Sequence, residues 1–184
     1  TELDNAVAKA LYFEPQKDIE SRVNTLASLP LIGHPGEQWY YSASPDVLAL
    51  LIEHFSGMNV ADFLQQRIFT PLGMKDTGYN ISEENQKRWG PVHNYNKEGK
   101  MTNSPEQLPI TGNTVYGGTH GLFSTAPDYM AFCQMILNKG NWNGKQYLSP
   151  KTIEIMTMNQ IGDLPQGPGQ GFGLGFGVTT DVAA

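Results

Sequence analysis

The chain has 184 residues, of which 39% are hydrophobic, with three Trp, eight Tyr and eight Phe; this suits one domain with a real core and excludes wholesale disorder. A formal charge of −6 with twelve scattered basic residues argues against a nucleic-acid partner, whose phosphates require clustered Lys and Arg. Only 16% of residues are charged, against ~25% in a typical protein, so much of the surface is neutral polar or covered.

Along the chain, Asp18 is the predicted N-cap of a helix over 18–29, with Ile19, Val23, Leu26 and Leu29 at helical spacing and Pro30 as its stop. Ser44 and Pro45 read as N-cap and first residue of a second helix through Phe55, ended by Gly57. Its apolar residues, Val47 to Phe55, read as a core face. Asn59 caps a third helix bearing Val60, Phe63, Leu64 and Ile68, which Pro71 should end. From Tyr79 to Gly121 the helical period fades into an expected ordered loop with a short hairpin around 97–100. Thr125 and Asp128 open a strong helix whose apolar face runs from Tyr129 to Leu137, with Gly140 beyond it. Cys133, the single cysteine, cannot form an internal disulfide and reads there as a buried, inert thiol. Asn143-Gly144 marks a turn, and Ser149-Pro150 starts a helix through Met158.

Near the end, glycines at 167, 169, 171, 173, 175 and 177 alternate with Phe172, Leu174, Phe176 and Val178. Period two predicts a strand over about 171–180 with one apolar and one bare face. It pairs either with a hairpin that the sequence does not reveal or with strands outside this chain; the second is the expectation. The fold class is therefore mainly α with minor β (α+β): a helical region over 1–160 and one sheet strand, forming a single partial domain. No apolar run approaches the ~18 residues of a membrane span, so no membrane segment is expected in this chain.

Several chemistries fail on spacing. Alternating glycines never supply the odd offset of a dinucleotide fingerprint, and Gly140 to Lys145 is one residue short for a phosphate-binding loop. The four histidines, His34, His54, His93 and His120, lie too far apart for a metal motif, so neither metal nor cofactor is expected. His120 stands out between Gly117-Gly118 and Gly121, where backbone can approach closely. Gly-x-Ser-x-Gly does not occur, and no serine has lysine three residues later. One phenol remains: Tyr41, just ahead of a helix N-terminus, where unpaired N–H groups and the helix dipole favour negative charge. A general base is one reading; taken alone, such a tyrosine is more often a buried structural residue.

Several segments together resemble one family. Leu29-Pro30-Leu31, Pro35-Gly36-x-x-Trp39-x-Tyr41-Ser42, Asp46-Val47-Leu48 and Ile52-Glu53-x-x-Ser56-Gly57 look like the middle of a serine β-lactamase-related protein. Pro71-Leu72-Gly73-Met74-x-Asp76-Thr77, Gly121-Leu122-Phe123-Ser124-Thr125-Ala126, Leu148-Ser149-Pro150-Lys151-Thr152 and the closing Gly-Phe-Gly-Leu-Gly-Phe-Gly continue the match in family order. The group holds class C β-lactamases, D-alanyl-D-alanine peptidases, and esterases and transesterases of the same fold. The resemblance implies an antiparallel sheet flanked by helices and a site where three motifs meet. Ser-x-x-Lys supplies the nucleophile, a Tyr motif the base, and an edge strand carries Lys-Thr-Gly, His-Thr-Gly or an equivalent.

Only the second motif is here, at Tyr41-Ser42-Ala43; the first is expected before Thr1 and the third after Ala184. A free phenol titrates near ~10 and needs neighbouring cations to serve as a base at neutral pH. The helix N-terminus alone contributes ~0.3–1 kcal/mol, so the chain on its own is expected to be inactive. The implied activity is serine acyl transfer on a small-molecule ester, β-lactam or peptide, completed by the remainder of the same protein. Class C enzymes carry Asn two residues after the tyrosine; Ala43 stands there, which favours ester or small acyl substrates. His120 falls where those enzymes place a tyrosine that walls the pocket, making it a substrate contact. A non-catalytic member that binds peptide or cell-wall fragments is the alternative, and a helical interaction module is the bland one.

Overall fold

The computed structural model describes residues 2–9, 16–104, 109–164 and 167–180. Its helices are α1 (Glu2–Ala8), α2 (Ile19–Ala27), α3 (Ser44–Ser56), α4 (Val60–Leu64), α5 (Thr70–Leu72), α6 (Glu83–Gln86), α7 (Ala126–Leu137) and α8 (Pro150–Thr157). A π-helical segment, Gln65–Phe69, joins α4 to α5. The strands β1 (His93–Tyr95) and β2 (Met101–Asn103), β3 (Asn141–Trp142) and β4 (Lys145–Gln146), and β5 (Gln170–Phe172) and β6 (Gly177–Thr179) pair as three antiparallel hairpins. The chain is mainly helical α+β, as its periodicities predict.

Local chemistry accounts for most boundaries. The Asp18 carboxylate accepts from Ser21 N at 2.8 Å while Ser21 Oγ accepts from Asp18 N, a reciprocal cap that starts α2. Asn59, Thr125 and Ser149 cap α4, α7 and α8 as expected. Gly57 takes a left-handed conformation at φ 68° and ends α3. Asn143 and Gly144, both at positive φ, turn β3 into β4. The hairpin expected around 97–100 is present, its turn closed by Lys100 N donating to Asn96 Oδ1 at 2.8 Å.

Several expectations change. Ser44 does not cap α3: it is the first helical residue, Ala43 holds the cap position without a side-chain bond, and Ser44 Oγ instead meets Ser42 Oγ at 2.7 Å. Pro71 does not end the third helix. It lies in α5, which continues the π-helical segment without a break, and Gly73 at φ 76° is the real stop. The run over 171–180 is not one strand. Gly173 N donates to Phe176 O at 2.7 Å and Gly175 sits at φ 89°, so the chain folds back and β5 pairs with β6. Period two registered the pleat but hid the turn, because glycine occurs in both. Leu174 N donates to Met156 O at 2.8 Å, fastening that hairpin to α8.

Two apolar clusters form the core. Ile19, Val23, Ala49, Val60 and Tyr79 make the first, between α2, α3 and α4; Phe69, Leu72, Met74, Ala131 and Met135 make the second, under α7. The apolar faces read as core are only partly so. On α3, Ala49 is buried, but Leu48 is 59% and Phe55 80% exposed; on α7, Tyr129 and Leu137 are exposed. Each helix has a wide apolar stripe of which one edge meets a neighbour here. Cys133 is free and half-buried rather than buried. Among the described residues no single helix is long and apolar enough to cross a membrane.

Candidate active site

The segment before α3 presents Tyr41. Gly36, at φ 87°, turns the chain, and the Trp39 ring then lies 5.1 Å from the Phe172 ring of β5 and 6.1 Å from the Tyr41 ring. Trp39 thus holds the Tyr41 segment against the glycine-rich hairpin. Tyr41 itself is 83% exposed, so it is not a buried structural tyrosine. It lines an apolar cavity of about 440 Å³ together with Val23, Leu26, Leu31, Tyr40 and Val47. Ala43 borders the same cavity and accepts from Asp46 N at 2.9 Å, closing the first turn of α3.

The residues just before His120 are tied to that turn through Asp46, which belongs to a segment of the resemblance but has no role assigned from the sequence. Asp46 is completely buried (0% exposed), and its Oδ1 accepts from Gly118 N at 2.8 Å and Thr119 N at 2.9 Å. The buried Arg22 of α2 places Nη1 3.6 Å from Asp46 Oδ2. A carboxylate removed from water needs such partners, since desolvating an ion is costly. On the loop's other side, Tyr79 donates its hydroxyl to Gly117 O at 2.6 Å. Burial, aided by the charges of Asp46 and Glu53, pushes that phenol up to about 12, so it stays protonated as a donor.

The loop needs its glycines for space. A Cβ on Gly117 would lie 2.7 Å from Arg22 Nη1, and one on Gly118 would run into the Pro45 carbonyl. His120 follows, half-buried; burial first and Arg22 second hold its imidazole below the ordinary histidine value, with Asp46 opposing. Tyr41 and Ala43 line one cavity, which His120 does not line; Asp46 links their segment to Gly118 and Thr119, next to His120 in the chain. Arg22 had a signal: it is a charged residue on the same face as Ile19 and Val23. Asp46, an acid in a helix's first turn, looks like an ordinary dipole partner. Among the described residues no three His, Cys, Asp or Glu side chains are grouped to hold a metal ion.

The family model for β-lactamase matches residues 3–183, and the chain belongs to that family. An uncharacterized protein of Mycobacterium tuberculosis is 30% identical over 168 residues, 86% of this chain and 42% of that protein. The lovastatin esterase of Penicillium rubens is 27% identical over 167 residues, 87% of this chain and 41% of the esterase. Among solved structures, EstCE1, a hydrolase with promiscuous acyltransferase activity, superposes with TM-score 0.74 at 20% identity, over 92% of this chain and 48% of EstCE1. The chain spans less than half the length of these proteins.

Proposed function

We propose that the full-length protein is a serine acyl-transfer hydrolase in which Tyr41 is the general base and Ala43 and His120 contact the substrate. Tyr41 takes the proton of a serine as its oxygen attacks the acyl carbon. The leaving alcohol departs with a proton, and water then releases the acid from the acyl-enzyme. The serine and the cations that tune the tyrosine come from the remainder of the same protein. That remainder also covers the apolar faces left open on α3 and α7.

The observation that carries this reading is an exposed Tyr41, in the family's tyrosine motif, lining an apolar cavity and shortly ahead of α3. Esters rank above β-lactams as substrates. Ala43 has no amide to meet an acylamide side chain, the cavity lining is mainly apolar, and an esterase and an acyltransferase-competent hydrolase are among the similar proteins.

The test is Tyr41→Phe in the full-length gene product, with acylation followed by p-nitrophenyl butyrate and nitrocefin turnover. Loss of a general base lowers the rate by about 10²–10⁴, and the ester is expected to be the better substrate. Near-normal acylation with both substrates would remove Tyr41 from the base role, and binding of peptide or cell-wall fragments without turnover would then be the better reading.

A further inference from the structure

We propose that Asp46 is a positioning residue: its carboxylate fixes the Gly117–His120 loop to the first turn of α3 and so sets where His120 stands relative to Tyr41. This rests on the acyl-transfer reading, and it assigns work to a residue outside the tyrosine motif. Asp46 lies five residues after Tyr41 in a closed helical turn, its own N–H bonded to Ala43 O, so it moves with the segment that carries the base. From there Oδ1 holds two successive loop amides, those of Gly118 and Thr119, the second adjacent to His120. Paired N–H donors on one charged oxygen are strong and directional, which an apolar contact is not.

The loop would be free without them. Gly117 and Gly118 have no side chains to pack, and glycine loses more freedom on ordering than any other residue. Three elements converge to prevent that: Asp46 from α3, Arg22 from α2 facing Asp46 Oδ2, and the Tyr79 hydroxyl on Gly117 O. His120 is the first residue after this anchored stretch. An anchor on Gly118 and Thr119 sets its position, whereas a general stabiliser of the fold would not act on it selectively.

The experiment uses the full-length protein with Asp46→Asn, which keeps the shape and removes the charge. Two measurements follow. Amide exchange at Gly118 and Thr119 is expected to speed up about tenfold while amides within α7 keep their rates. The kcat/KM for p-nitrophenyl butyrate is expected to fall about tenfold with His120 present, but less than about twofold in a His120→Ala background, the signature of coupling through His120. Unchanged exchange at the two amides, or an equal fall in both backgrounds, overturns the proposal. Gly118→Ala, whose Cβ meets the Pro45 carbonyl, pulls the Gly118 amide off Asp46 Oδ1 with the carboxylate kept; it is expected to give the same kcat/KM pattern, and an equal fall in both His120 backgrounds overturns the proposal here too, which keeps the test decisive if Asp46→Asn fails to fold. Should Tyr41→Phe acylate normally, the acyl-transfer reading falls on that result alone, while the exchange arm still decides whether Asp46 anchors the loop.

Discussion

Replacing Arg22 by Met tests the electrostatics of the site directly. The methionine keeps most of the buried stem and removes the guanidinium, leaving Asp46, at 0% exposure, with two amide donors and no cation. At the observed 3.6 Å and an effective dielectric of about 20, the two unit charges attract by about 4–5 kcal/mol. Removing one partner of a buried pair costs about 3–5 kcal/mol, because the other charge is stranded. The two figures agree, so Arg22→Met is expected to destabilise the full-length protein by about 3–5 kcal/mol in urea unfolding. Adding Asp46→Asn relieves the stranded charge, so the double variant should be at least about 2 kcal/mol more stable than the two single losses added together. A loss below about 1 kcal/mol for Arg22→Met, or strict additivity, would mean that water reaches the carboxylate and that the pair does not hold the loop.

Two further outcomes are expected. Tyr79→Phe strands the Gly117 carbonyl and keeps the ring contact with Tyr116 at 5.0 Å, so it should cost about 1–3 kcal/mol by urea unfolding; a neutral result would show that the carbonyl finds another donor. His120 supplies a pH dependence. Its imidazole is held below the ordinary value of 6.5, so just under pH 6.5 the unfolded chain binds this proton and the folded one does not. Stability therefore rises with pH through that window and falls as the pH drops into it. His120→Gln should flatten this part of the Tm profile between about pH 5 and 7, and an unaltered slope would assign it to other groups.

What the sequence revealed was set by how local each signal is. Asp18, Asn59, Thr125 and Ser149 announce helix starts because a cap needs only its own first turn. Ser44 misled because a serine before a proline has the same composition whether it caps or merely begins the helix. Its hydroxyl is engaged by Ser42, a competition that spacing does not show. The glycine-rich tail misled for a related reason, since glycine serves a pleat and a reversal equally. Tyr41 and Ala43 were legible as a contiguous motif, and His120 through its glycine neighbours. The Asp46 link between them spans more than 70 residues, and no pattern along the chain records which amides a buried carboxylate will hold.

The wide turn at Gln65–Phe69 explains how one rod serves both cores. Val60, ahead of it, faces the first cluster; Phe69, its last residue, and Leu72 beyond it face the second, and Leu64 touches both. Each residue of a helix advances the azimuth by about 100°, so an extra residue in one turn swings everything downstream by roughly a quarter revolution. A strictly regular rod of the same composition would present Phe69 and Leu72 at a different azimuth. The phase of the helix, as much as the identity of its side chains, sets which cluster each of its residues serves.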